Sequence, residues 1–314
     1  MKAAPLSSLH LGSGLCVFLV STVALASPSD DGGVVPAVPT AVQAPSRGKG
    51  LDLRWSHQTT PTPGPARSIG QPGAGCLEGG VALPLHGPGW LVARPQRHRE
   101  FGHPVLRAFL QGLAKAGRRH GLGTITVGDM GQARGGPTPS GHRSHQNGLD
   151  VDVWYGPAKA AAPGKKETTL QPPSVVDMQS NKMLPAWTDR AARLVRTAAE
   201  DPAVDRIFVH PAVKRALCKE RGKHGPWLQR VRPWWGHQDH FHVRLRCPPG
   251  NVDCVESKPL PPGDGCDASL SWWFSSEAHT KAQERAKETP GETAPPMPEK
   301  CEQQVEQQVE QQAE

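Results

Sequence analysis

Two short stretches of the chain alternate strictly between apolar and polar positions. Leu149, Val151 and Val153 take one parity and Asp150 and Asp152 the other; further on, Phe241, Val243 and Leu245 oppose His240, His242, Arg244 and Arg246. Successive side chains on a strand point to opposite faces, so both stretches read as strands with an apolar side toward a core and a polar side turned to a common site. A helical period takes over in His103 to His120, where Val105, Leu106, Phe109, Leu110 and Leu113 recur on one face. Weaker patterns predict a strand over Thr124 to Val127, a helix over Trp187 to Glu200, a strand over Val204 to Val209 and a helix over Pro211 to Glu220. Together they predict an α+β domain, with a central antiparallel sheet, flanking helices and long loops.

Between these elements the pattern lapses. Gly128 to Gly141 is rich in glycine but lacks the Lys-Ser/Thr ending and following helix of a phosphate-binding loop, so a flexible rim to the site is expected there. A proline-rich insertion, Gly156 to Pro185, separates the first strand from the helix at Trp187. Residues 27–66, dominated by Pro, Ala, Gly and Thr, read as a tether without enough apolar periodicity to pack. Residues 302–314 repeat Glu-Gln-Gln-Val with a period of four, which cannot sustain a heptad seam and predicts a solvated, partly helical tail. The folded domain is thereby placed at 67–301.

Composition narrows the class. Among 314 residues, 34 Gly and 33 Pro point to one loop-rich domain with flexible ends rather than two compact ones. The excess of 36 Lys and Arg over 29 Asp and Glu, a net +7, favours an anionic surface or polymer. Nucleic acid would satisfy that charge, but no recognised nucleic-acid motif or dense basic run is present. Lys2, the apolar run Leu15 to Val23 and Ala24-Leu25-Ala26 form a secretory signal with cleavage expected after Ala26, so residues 1–26 are assigned as a signal peptide and the mature protein to the periplasm. No later segment is apolar for the roughly 20 residues that a membrane-spanning helix needs. Six cysteines remain after that cleavage, Cys76, Cys218, Cys247, Cys254, Cys266 and Cys301, an even number in an oxidising compartment. No two of them form a Cys-x-x-Cys pair, which favours disulfides over a thiolate metal site, and they allow 15 connectivities.

The chemistry concentrates in the two alternating stretches. His145 lies seven residues before Asp152 in a turn-forming segment, and His242 shares its strand face with His240. Two histidines and one carboxylate leave a coordination position open for water, which is the arrangement of catalytic zinc. His145, Asp152 and His242 are therefore the expected ligands, with His142 either a further ligand or a neighbour. His240 is the expected general base and oxyanion stabiliser, with His237 next in line. Asp150 is expected to orient a ligand imidazole through its other ring nitrogen. Trp234, Trp235, Trp272 and Trp273 would ordinarily be core, although Trp235 beside His237 is a candidate for stacking on a sugar.

Gly141 to Asp152 and His237 to Pro248 resemble the two zinc motifs of the penicillin-insensitive murein endopeptidases, a group related to lysostaphin, the D-Ala-D-Ala metallopeptidases and hedgehog. The resemblance takes in SIGQPGAGC at Ser68, FGHP at Phe101, VGDMG at Val127, RIFV at Arg206, VRPW at Val231 and PPGDGC at Pro261, and covers roughly Arg67 to Cys301. It implies a disulfide-stapled zinc-peptidase fold and cleavage of D-alanyl to meso-diaminopimelyl cross-links in peptidoglycan. It also implies the pairs Cys76 with Cys301, Cys218 with Cys266 and Cys247 with Cys254. The first would close a long loop, contributing on the order of 4 to 5 kcal/mol in the chain-entropy model. The chain carries no Ser-x-x-Lys with Lys-Thr-Gly, so the implied metal route would be insensitive to β-lactams. A second metal site of the family uses an Asp and a His between the motifs; Met178 to Asn181 offers no histidine, and no second zinc is expected. The rival readings are a D-Ala-D-Ala dipeptidase or carboxypeptidase of the same fold and a non-catalytic zinc-containing wall-binding module.

Overall fold

A computed structural model describes residues 54–139, 143–158, 171–220, 225–287 and 295–313. Among them, seven strands form one sheet in the spatial order Val231–Pro233, Val204–Val209, His240–Leu245, Asp150–Trp154, Ile125–Val127, Trp90–Val92 and His86–Gly87. The central pairings are antiparallel, as the alternation predicts, while Val231–Pro233 and Trp90–Val92 each join in parallel. Register decides what the polar face presents. His242 lies opposite Asp152 on one side and Phe208 on the other, and Arg244 lies opposite Asp150.

The apolar face carries Val127, Val151, Val153, Ile207, Val209, Phe241 and Val243, all buried in one cluster with the helices. Pro104–Arg119 contributes Leu106, Phe109, Leu110 and Leu113, and Asp189–Glu200 contributes Leu194 and Val195. Each such aliphatic or aromatic side chain stabilises the fold by about 1.5–3 kcal/mol on full burial. The helix starts are set locally. His103 caps the first helix by accepting from the Val105 amide through Nδ1 at 3.2 Å, with Pro104 at the first position where its missing N–H costs nothing. Thr188 caps the second, accepting from the Ala191 amide.

Three expectations change, those for the glycine-rich stretch, the tether and the tail. The polar face is itself covered: Asp150 and Asp152 are as buried as their apolar neighbours. Alternation distinguishes two faces but does not say what covers the second one. The cover is the glycine-rich stretch expected to be a flexible rim, whose residues 128–136 are all buried. The Gly128 amide donates to the Asp152 carbonyl at 2.7 Å and the Asp152 amide to the Asp129 carbonyl at 2.9 Å, so the stretch extends the sheet ladder. Glycine is required for that approach. At Gly135 (φ +68) a Cβ would lie 1.9 Å from the Gln146 carbonyl oxygen, and at Gly136 (φ +73) 2.1 Å from the Trp55 ring.

Trp55, which composition assigned to the tether, is therefore fully buried. It packs with Ile69, Val305 and the Cys76–Cys301 bridge. Val305 and the half of the tail near it also join the fold: the helix Glu299–Ala313 starts at the disulfide, and Gln304 Nε2 donates to the Leu77 carbonyl at 3.2 Å. The polar repeat concealed Val305, which lands in the cluster with Trp55. The proline-rich insertion contributes a small hairpin, Val176–Asp177 with Lys182–Met183, and the Val175 amide just before it donates to the Gln238 carbonyl at 2.7 Å. That bond holds the loop leading into the second motif.

The three disulfides are Cys76–Cys301, Cys218–Cys266 and Cys247–Cys254. Their sequence separations, 225 and 7 for the first and last, give different expectations. In the chain-entropy model the short loop contributes only about 2 kcal/mol, well below the long one. Cys247–Cys254 instead fastens the chain just past the His240–Leu245 strand. Cys247→Ser with Cys254→Ser is expected to lower turnover more than the unfolding temperature, and Cys76→Ser with Cys301→Ser to do the reverse. Thermal melts and turnover measured on both double variants check this; equal effects on both quantities would refute it. Among the described residues, no helix is long and apolar enough to cross a membrane.

Candidate metal centre

His145, Asp152 and His242 converge beneath the polar face of the sheet, each buried, with one ligand atom apiece lying within 4.8 Å of the others. Adjacent strands in register bring Asp152 and His242 together, placing His242 Nδ1 3.1 Å from Asp152 Oδ1. His145 arrives from the loop before the strand, with Nε2 3.4 Å from the same oxygen. Its backbone is left-handed (φ 70), a conformation that costs a residue with a Cβ and clusters at functional sites. The His145 amide is anchored by Asp150 Oδ2 at 3.3 Å.

This donor set fits a tetrahedral divalent cation. Ligand bonds of about 2.0–2.1 Å imply ligand-to-ligand edges of about 3.3 Å. The 3.4 and 3.1 Å separations around Asp152 Oδ1 match those edges. A cation held among these groups would also let the imidazoles remain neutral while the buried carboxylate keeps its charge. The triad is a possible metal site; its geometry does not name the metal.

Asp150 lies behind the triad. Its Oδ2 is 3.1 Å from His242 Nε2, the nitrogen turned away from Asp152. Arg244, two residues along the strand from His242, grips both oxygens of Asp150 at 2.9 Å from Nε and Nη2. Burial acts to raise the Asp150 pKa, but the Arg244 guanidinium and His242 outweigh it and hold the carboxyl well below its usual range. Asp152 is likewise driven low, burial being outweighed by His240 and His145. For His242, burial favours the neutral ring, yet Asp150 and Asp152 together pull its pKa up.

His240 and His237 complete the cluster. His240 is partly open to solvent, with Nε2 3.5 Å from Asp152 Oδ1 and Nδ1 2.6 Å from Asp239 Oδ1. Burial lowers its pKa, and Asp152 and Asp239 more than reverse that. His237 is also left-handed (φ 59), its Nδ1 3.0 Å from the Trp235 carbonyl, and its ring centre is 5.2 Å from that of His240. Burial, then the neighbouring His240 and His242, pushes its pKa well down. Tyr155 Oη donates to the His237 carbonyl at 3.2 Å and fixes that turn. His142 lies outside the described residues.

Residues that alternation did not single out are Asp239, Phe208 and Tyr155. Asp239 was legible in principle, as a carboxylate next to His240. Phe208 packs edge-on to His242 at 5.6 Å because the Val204–Val209 strand happens to be the neighbour, which no local pattern in the chain records.

A family model described as penicillin-insensitive murein endopeptidase matches residues 68–306 of this chain, a span that contains the triad, His240 and all six paired cysteines. The chain belongs to that family. Among its relatives, the penicillin-insensitive murein endopeptidase of Klebsiella pneumoniae subsp. pneumoniae is 43% identical over 221 residues, covering 70% of this chain and 81% of that protein. Proteins of the same name from Yersinia enterocolitica and Salmonella arizonae are each 42% identical over 221 residues, covering 70% of this chain and 80% and 81% of theirs. As a member of the penicillin-insensitive murein endopeptidase family, the chain is a peptidase by descent, and the buried His-Asp-His cluster is where its described residues gather the chemistry of one.

Proposed function

We propose that this protein is a zinc-dependent murein endopeptidase that hydrolyses D-alanyl to meso-diaminopimelyl cross-links in peptidoglycan, by a route that β-lactams do not block. The observation that carries the reading is the convergence of His145, Asp152 and His242 inside the family-matched segment, with a nitrogen of each histidine at a tetrahedral edge distance from Asp152 Oδ1. Zinc bound there would act as a Lewis acid on the scissile carbonyl and make water acidic enough to attack near neutral pH.

The protein's own groups do the remaining work. Asp150, charged and clamped by Arg244, lies 3.1 Å from His242 Nε2, where its charge favours the proton on that nitrogen and leaves Nδ1 to ligate. Asp239 holds His240 Nδ1, leaving Nε2 to take a proton from the attacking water and return it to the departing amine. The partial exposure of His240 suits a group that must meet substrate, whereas the buried triad suits one that must not move. His237, its carbonyl pinned by Tyr155 and its Nδ1 donating to the Trp235 carbonyl, flanks His240 as a neutral ring whose other nitrogen is free of a proton, which makes it next in line for the proton transfer.

The signal at residues 1–26, outside the described residues, supports export to the periplasm, where this substrate lies. Mass spectrometry of purified sacculi incubated with the mature protein tests the reading. Cross-linked muropeptide dimers are expected to give way to monomers, unaffected by benzylpenicillin and abolished by chelator. Release of free D-alanine in place of monomers would instead identify a carboxypeptidase, and persistence of dimers would leave a wall-binding module.

A further inference from the structure

Eight of the nine tryptophans of this chain divide into two populations, and the ninth, Trp187, is partly buried against Tyr155 in the main core. Trp55, Trp90, Trp154 and Trp227 are buried, as large apolar rings ordinarily are. Trp234, Trp235, Trp272 and Trp273 are instead only partly buried, and they lie together. Ring centres are 4.8 Å apart for Trp235 and Trp273, 5.3 Å for Trp272 and Trp273, and 5.6 Å for Trp234 and Trp235. The two pairs come from separate segments, one following the Val231–Pro233 strand and the other ending the short helix Ala268–Trp272. None of these contacts is a face-to-face stack; the interplanar angles run from 57° to 82°, so the rings lean on one another by their edges.

The cluster is continuous with the metal centre. Phe208 touches His242 at 5.6 Å on one side and Trp234 at 5.8 Å on the other. Along the other edge, the helix Ser276–Lys287 sets two cations one turn apart over the rings, Lys281 Nζ 5.3 Å from Trp272 and the Arg285 guanidinium 5.1 Å from Trp234; Lys281 is paired with Glu277 at 2.9 Å, and Glu277 also accepts from Trp272 Nε1 at 3.1 Å. Arg143 Nη2 donates to the Arg285 carbonyl at 3.1 Å, tying the end of that helix to the loop that delivers His145.

We infer that these four tryptophans form a carbohydrate platform that seats the glycan strand beside the metal centre, with Arg285 facing the carboxylates of the stem peptides. The inference rests on the murein-endopeptidase reading and extends it to the part of the polymer that is not cut. Indole faces are electron-rich and match the polarised C–H face of a pyranose ring. Stem peptides, built largely of alanine, glutamate and diaminopimelate, offer too little apolar surface to occupy four indoles. The net charge of +7 and Arg285 at the rim suit a polymer with free carboxylates.

The test compares wild type with Trp272→Ala and Trp273→Ala on two substrates, intact sacculi and the glycan-free peptide dimer that an amidase releases from them. Neither residue contacts the metal cluster. Both variants are expected to raise KM on sacculi and weaken binding to sedimented sacculi by about tenfold, which is roughly 1.4 kcal/mol. Turnover of the glycan-free dimer should stay within about twofold of wild type, since a sugar subsite away from the metal takes no part in breaking the peptide bond. Equal losses on both substrates, or none on sacculi, overturn the platform. Should an alanine variant melt, wild-type tryptophan fluorescence titrated with amidase-released glycan strands decides, and an unchanged spectrum at millimolar sugar overturns it. Wild type that cleaves neither substrate would refute the endopeptidase reading, while its retention on sacculi would still report on the platform.

Discussion

His242→Ala is expected to lose metal and activity together while keeping its fold. The His242 ring touches every layer of the site. Its Nδ1 is 3.1 Å from Asp152, its Nε2 3.1 Å from Asp150, and its ring centre 4.6 Å from that of His145. Alanine leaves two ligands where tetrahedral zinc sites use three from the protein. The fold should survive because Asp150 keeps its bidentate Arg244 partner and the apolar side of the strand is untouched. Loss of metal assistance, several kcal/mol of transition-state stabilisation, corresponds to a fall on the order of a thousandfold or more. Metal content by mass spectrometry, circular dichroism and dimer hydrolysis on the same preparation check this. A variant that keeps stoichiometric metal would remove His242 from the ligand set, whatever its activity.

The parts of the site that were legible in the chain are those that period-two alternation encodes. Asp152 and His242 could be assigned to one face because Val151, Val153, Phe241 and Val243 claim the other, and the register then sets them opposite each other. The helix at Pro104–Arg119 was equally legible, down to the histidines that bound it. What covers that polar face was not. Composition read Gly128 to Gly141 as a flexible rim, since glycine in an isolated stretch is most often a loop; over residues 128–136 it instead permits contact with Gln146 and Trp55 that a Cβ at Gly135 or Gly136 would block. Trp55 itself was one apolar residue in a polar, proline-rich run, and its burial depends on Ile69, Val305 and a disulfide that reaches across most of the chain. Phe208 and Asp239 were missed for opposite reasons. Phe208 is placed by strand order, a long-range property, whereas Asp239 is placed by adjacency and was overlooked among the histidines.

His240→Ala separates holding the metal from moving the proton. His240 sits one strand position-pair from His242 on the same face, yet it is the more exposed of the two, and its closest contact is Asp239 at 2.6 Å, with Asp152 at 3.5 Å. Truncation there opens a space that water can enter, so neither a dry cavity nor an unpaired buried charge results, and melting should change little. His145, Asp152 and His242 remain in place, and metal content is expected to stay at the wild-type level. Without a positioned base at the attacking water, kcat should fall at least about 100-fold, the range typical of general acid–base groups, with KM nearly unchanged. Asp239→Asn should fall less, because it leaves the imidazole present and removes only the charge that orients it. Near-normal turnover in His240→Ala would transfer the proton work to His237, whose ring is 5.2 Å away, and the same assay on His237→Ala would then show the larger loss.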